Sequence, residues 1–435
     1  MNDTVREKTL YYFRTALDLL VSHNLKDPIF QPYVLGLQLP LLTNYANALS
    51  SIGRKTASIR YYREVLEISP EFSMAKGNIG VELLSYSRLF QNPGHQNYLR
   101  YFSYYYLKSA IKDSSDPIHP DAKQHFSNIL AEFSQSYIDD FLEKPLEISE
   151  YSLGDSEERA YRIWCLHNHL FLNPLNDLPL EHSCFAADVL RLPDLTTEIH
   201  QTDIPIFYGI FNQLKQEYIY ARYLCYKGSC ILDSPHYADK DTCLIELSDF
   251  PQYSIRVENL KAAFRLLYSL LDKSAFFFNS YYNLGIKERD ITFRSIWKHA
   301  SKKYNHKSLQ QAEDNIGIEA VRWMYKDFNS IFDDSVSPRE ERLNTLRNAL
   351  EHKYVKVHNC LLYDVDSPYV DEEKTYHISE TDLQTYTLDL MHMIRELIIS
   401  ISIAVHIHEL QKIANCSAKK FFPCALSDYD DAWKI

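Results

Sequence analysis

Along most of this chain apolar residues recur at spacings of three and four, the period of a helix with one buried face. Phe207, Phe211, Leu214, Tyr218, Ala221 and Cys225 mark one such stripe, and Leu260, Phe264, Leu267 and Leu271 mark another. A third follows Ser379, which is placed to cap it, and runs through Leu383, Tyr386, Leu390, Ile394, Leu397 and Ile401. The densest apolar run, Leu397 to Val405, comes directly after Arg395-Glu396, so it reads as a buried helix rather than a membrane span. A fourth helix opens at Ser337-Pro338-Arg339-Glu340, with a capping serine, proline at the first helical position and glutamate three residues after the cap. Its expected buried stripe is Leu343, Leu346, Leu350, Tyr354 and Val357, and its other faces carry Arg347, Asn348, Glu351, His352, Lys353 and Lys356. At the front, helices are expected from 5 to 22 and from 121 to 143. Between the two halves, Pro145, Pro174, Pro179, Pro193 and Pro205 keep helices short. The later stripes suit an antiparallel bundle.

Composition supports an all-α reading. Only 10 of 435 residues are glycine, against an average of about 7%. The left-handed positions of hairpins, phosphate-cradling loops and dinucleotide folds are therefore scarce. Hydrophobic residues at 46% and aromatics at 14% exclude a disordered chain. The net charge of -12 gives no overall attraction to nucleic acid, so any such contact must be local. The eight cysteines lack a Cys-x-x-Cys pair, the start Met1-Asn2-Asp3-Thr4 lacks a signal pattern, and no clean run of 18 apolar residues occurs. The expectation is a cytoplasmic protein with no membrane contact. No Gly-x-x-x-x-Gly-Lys, Gly-x-Ser-x-Gly or His-Glu-x-x-His is present, which leaves P-loop, α/β-hydrolase and zincin chemistry without support.

Asn44-Tyr45-Ala46 and Asn78-Ile79-Gly80 lie 34 residues apart, each opening a helix-period segment. Between them stand Leu49, Gly53 at a turn, Ser58, Tyr62, Val65-Leu66 and a closing Pro70. This resembles one good tetratricopeptide repeat followed by a degenerate one, interrupted at Gln91-Asn92-Pro93-Gly94. Such an array implies either a surface for a protein or peptide partner or a scaffold for the second half. In the connector, Cys165, His167, His169, His182 and Cys184 fall within twenty residues, but their spacing matches no standard zinc pattern. No metal and no cofactor are expected.

Arg347-Asn348-Ala349-Leu350-Glu351-His352 fits Arg-polar-x-x-x-His on a capped helix late in a helical bundle. The motif resembles that of the HEPN superfamily, and its fusion to tetratricopeptide-like repeats is similar to known prokaryotic members. Arg162 with His167 and Arg294 with His299 share the bare spacing, but Ile163 and Ser295 follow those arginines where Asn348 follows Arg347. The resemblance implies a dimeric, metal-independent endoribonuclease, commonly a toxin or anti-phage defence effector. It makes Arg347 the phosphate-binding residue, His352 the acid/base, and Asn348 the residue that orients them.

The chemistry stands independently of the name. Cleaving RNA without metal requires a base for the 2'-OH proton, an acid for the leaving 5'-oxygen and a fixed cation for the charge growing on phosphorus. Histidine serves either proton role, and arginine offers a permanent charge in a fork matched to phosphate. Five helical residues turn through about 500° and rise about 7.5 Å, so one straight helix does not aim Arg347 and His352 at a single phosphate. Asn348 and His352 do share a face, and a two-fold axis would bring two sets together, which makes a homodimer part of the expectation.

For RNA, with tRNA as one candidate, the basic aromatic segment from Lys287 to Lys307 offers Lys298, Lys302 and Lys303, and the motif helix offers Lys353 and Lys356. Asp364, Asp366, Asp371, Glu372 and Glu373 form an acidic loop after the motif, poorly suited to calcium. The expected division is a tetratricopeptide-like array over 1–144, a connector over 145–205 and a HEPN-like bundle over 206–435. Two other classes stay open. One is a non-catalytic helical scaffold, and the other is a nucleotide-binding target of a nucleotidyltransferase partner, modified at Tyr354.

Overall fold

A computed structural model describes residues 3–22, 31–112, 118–136, 142–198, 205–231, 233–247, 249–297, 309, 314–329, 337–359, 374–415, 421–423, 427 and 429–434. The first half is a run of helices: α1 (Asp3–Ser22), α2 (Gln31–Ser51), α3 (Lys55–Ile68), α4 (Ser73–Ser87), α5 (Pro93–Lys112) and α6 (Pro120–Ser136). Consecutive helices pack on one another, most extensively α4 on α5 and α2 on α3. Gly53 turns the chain between α2 and α3 with φ +85, a left-handed conformation that costs glycine little. Gly80 lets α4 and α5 approach: a Cβ there would lie 2.8 Å from Leu107 Cγ, and Ser103 Oγ on α5 donates to Gly80 O at 2.6 Å.

The connector holds α7 (Ser156–His167), two 3-10 turns at Pro174–Asp177 and Ser183–Phe185, and β1 (Thr196–Glu198). Asp155 caps α7 by accepting from Glu157 N and Glu158 N. The bundle follows with α8 (Ile206–Ser229), α9 (Ile255–Tyr281), α10 (Ile316–Phe328) and α11 (Pro338–His352). It closes with β2 (Tyr354–His358), β3 (Thr375–Ser379), α12 (Glu380–Asn415) and β4 (Phe421–Pro423). The fold is all-α, and the strands form two short pairs, β1 antiparallel to β4 and β2 parallel to β3.

The stripes read from the sequence on α8, α9 and α12 are buried except for the half-buried Phe207 and Tyr386, and Ser379 Oγ caps α12 by accepting from Asp382 N at 2.9 Å. Helix α12 is long and apolar enough to cross a membrane, yet 83% of its most apolar window is buried in this fold. One hydrophobic cluster runs through all three segments, joining Ile59, Tyr62 and Ile79 of the array to Leu172 and Phe185 of the connector and to Leu267 and Ile398 of the bundle. Trp323 of α10, 1% exposed, fills a second cluster with Leu10, Tyr45, Leu49 and Ile52. Part of the array's surface is thus occupied by the bundle itself.

One element differs from the sequence reading. The motif helix ends at His352, with Lys353 N donating to Ala349 O at 2.8 Å, and Tyr354 to His358 form a strand. Leu350, Tyr354 and Val357 fit a helical spacing, but Val355 and Val357 alternate with Lys356 and His358. The β-branched valines bury one face of a two-stranded pair. Tyr354 is therefore 41% exposed rather than part of the buried stripe.

Candidate functional site

Helix α11 is held at its start. Ser337 and Glu340 are buried and joined through the serine hydroxyl and the glutamate carboxylate, with Pro338 in the first turn. The expected cap is present in altered form, because Ser337 makes no side-chain bond to the helix backbone. Arg339 pairs with Asp389 of α12 at 2.7 Å and Arg342 with Asp18 of α1 at 2.6 Å, while Leu343, Leu346, Ala349 and Leu350 face the core. Arg347, Asn348 and His352 project from the other side of this anchored helix.

Arg347 is half-buried. Its guanidinium lies 5.7 Å from the ring centroid of Tyr268 on α9, and its Nη1 donates to Asn348 Oδ1 at 3.1 Å. The ring is fixed in turn, because Tyr268 OH donates to Asn344 Oδ1 at 2.7 Å. A second guanidinium stands beside the helix end: Arg265 Nη2 donates to Leu350 O at 2.7 Å and its Nε lies 3.9 Å from Glu351. His352, the last helical residue, is exposed and shows no hydrogen bond or ion pair among the described residues. The structure thus keeps Arg347 next to Asn348 and leaves the imidazole open. Arg265, Tyr268 and Asn344 join the site without having been read from the sequence, since nothing in a linear pattern brings residue 268 beside 344 and 347.

The remaining candidates are placed unequally. Lys353 is exposed beside His352. Lys356 lies on β2, where its ammonium pairs with the Asp249 carboxylate and its side chain is 13% exposed, so it is occupied. The Tyr354 hydroxyl is hydrogen-bonded to that of Tyr253, and burial together with this bond raises its pKa, which makes it a weaker nucleophile than a free phenol. Lys298, Lys302, Lys303 and the acidic loop from Asp364 to Glu373 lie outside the described residues. Of the two other Arg-x4-His pairs, Arg162 and His167 are tied to Glu158 and Glu181, and His299 lies outside the described residues.

The connector's five potential metal ligands do not converge. Cys165 is fully buried, with its thiol pushed up to about 12 by burial, while His167 pairs with Glu181. His169 Nδ1 bonds Asn176 O at 2.5 Å, and His182 sits against Cys184 at 3.2 Å. A different trio does gather: Asp249, His358 and His377 place ligand atoms within 4.8 Å of one another, with His358 Nε2 3.0 Å from His377 Nδ1. Burial lowers the pKa of both histidines, favouring the neutral form a metal needs. Against that, Lys356 already neutralises the carboxylate from the same face of the sheet.

A mostly helical domain carrying an Arg-polar-x-x-x-His sequence on an anchored surface helix is the class this arrangement defines. Residues 199–408, which include the motif and its supporting helices α8 to α11, match the family model for LA2681-like HEPN, and this supports placing the segment in the HEPN superfamily. No curated protein and no solved structure matches the chain.

Proposed function

We propose that the protein is a metal-independent endoribonuclease whose site is built on α11, acting as a homodimer in a toxin or defence role. The observation that carries this reading is the end of α11 within the HEPN match, where Arg347 is braced by Tyr268 and Asn348 and His352 stands open to solvent. Arg347 and Asn348 bind the phosphate, and His352 moves the protons of 2'-OH attack and 5'-oxygen departure. Lys353, together with Lys298, Lys302 and Lys303 earlier in the sequence, contacts the RNA backbone. A surface suited to the second copy adjoins the motif: Tyr253 and Tyr354 are 44% and 41% exposed, and Phe250, one residue after the Asp249 that holds Lys356, is 56% exposed. Closing such a patch about a two-fold axis would bring two motif ends together.

The test is RNA cleavage in EDTA, using tRNA and a single-stranded oligonucleotide, with Arg347→Ala and His352→Ala beside wild type. Loss of either group should lower the rate by about 10²–10⁴, with stability within about 0.5 kcal/mol of wild type because both side chains reach the surface. Sedimentation of the same samples should show a dimer. Equal cleavage by wild type and both variants would remove α11 from the mechanism.

A further inference from the structure

A polar cavity of about 40 Å³ lies where the array, the connector and the bundle meet. It is lined by six arginines and four carboxylates, and the pairing among them is unequal. Asp327 takes both Arg14 and Arg54 at 2.7 Å, and Glu396 takes Arg54 through two bonds of 2.8 and 2.7 Å. Asp177 takes Arg395 at 2.6 Å. Asp389, behind the wall, takes Arg60 at 3.2 Å and Arg339 at 2.7 Å, and the Glu340 carboxylate is bonded by Ser337.

Arg63 is left over. It is 5% exposed, its Nη1 donates only to the carbonyls of Asn176 and Asp177 at 3.4 and 3.2 Å, and its Nε has no hydrogen-bond partner. Arg339 Nε is likewise buried and unpaired. A guanidinium taken out of water with no carboxylate bonded to it, only Asp177 (already paired to Arg395) and the exposed Glu67 attracting it, carries a desolvation cost that two long carbonyl bonds do not offset. The neighbouring histidines sense these arginines. His169 is pushed down to about 2 by burial and then by Arg63, and His392 is held well below its usual range by burial and the surrounding arginines.

We propose that this cavity binds a phosphate-sized oxyanion, with Arg63 and Arg339 as its principal ligands. Its volume accommodates about three water centres at ~10–15 Å³ each, which suits one tetrahedral oxyanion rather than a whole nucleotide. Either the free ion or the terminal phosphate of a longer molecule has the required chemistry. Because Arg63 belongs to α3 and Arg339 to the first turn of α11, the ion ties the array to the helix that ends in the Arg347 and His352 motif. The site stands whether or not that motif cleaves RNA.

The test is thermal unfolding and calorimetric titration of the full chain with inorganic phosphate, at constant ionic strength with chloride as the control. Arg63→Met and the exposed Arg159→Met serve as variants, and adenosine monophosphate as a second ligand. Phosphate should raise the melting temperature of wild type and Arg159→Met saturably. Arg63→Met should fold, unfold no earlier than wild type when phosphate is absent, and bind phosphate at least tenfold more weakly. An equal response to the nucleotide, also lost in Arg63→Met, would support the site with a terminal phosphate as its source. No phosphate response in wild type, an undiminished response in Arg63→Met, or a response to the nucleotide alone would overturn the proposal. So would an Arg63→Met protein that is destabilised without phosphate, since that would assign Arg63 a purely structural role.

Discussion

Arg347 and His352 stand near the end of one short helix, whereas the groups packed around that end come from far along the chain. Tyr268 reaches Arg347 from α9, and Asp249 claims Lys356 across 107 residues. Lys356 therefore read as a solvent-facing cation when it is a partnered one. Three half-buried histidines carry a consequence at this scale. Burial pushes His169 to about 2 and His408 to about 4, and it lowers His392 as well. All three stay neutral in the folded protein, while the unfolded chain binds their protons near pH 6.5. Stability is thus complete above pH 6.5 and falls as the pH drops below it, because the unfolded state takes up protons that the folded state refuses. His169 alone should cost roughly 2 kcal/mol at pH 5. Urea unfolding at pH 7.5, 6 and 5 should show the midpoint falling with pH, and an unchanged midpoint would contradict the neutral assignment.

Helices α8, α9 and α12 could be read from periodicity because each keeps one stripe against the core for several turns. The stretch after His352 could not, since it is compatible with both periods: Leu350, Tyr354 and Val357 fit a helix, and Val355 and Val357 fit a strand. The parallel partner Thr375–Ser379 decides between them, and it lies on the far side of a loop. Carbon chemical shifts for 354–358 should accordingly be strand-like, changing sign after His352; helical shifts through Val357 would restore the longer helix. The end of α11 matters to the site, because it makes His352 terminal and places Lys353 at the turn. One turn and one close helix contact were legible in the same way, at Gly53 and Gly80.

The three segments distinguished along the chain share one hydrophobic cluster, and their junction is further joined by Arg54, which spans Asp327 and Glu396. Proline density marks the connector in the sequence, but only the folded chain reveals that Asp177 within it neutralises Arg395 of α12. Arg54→Met should destabilise the protein by about 3–5 kcal/mol, because two buried carboxylates lose a shared partner, and wild type should unfold in a single transition. Separate transitions for the front and back halves would show that the shared core does not couple them. The central claim remains the chemistry at the end of α11, and 2'-substitution tests it most directly. One oligonucleotide is offered in EDTA both as unmodified RNA and fully 2'-O-methylated. The account predicts that wild type cuts only the unmodified strand, leaving 2',3'-cyclic phosphate ends, and that His352→Ala cuts neither. Cleavage of the methylated strand, or no cleavage of RNA by the folded dimer, would contradict it.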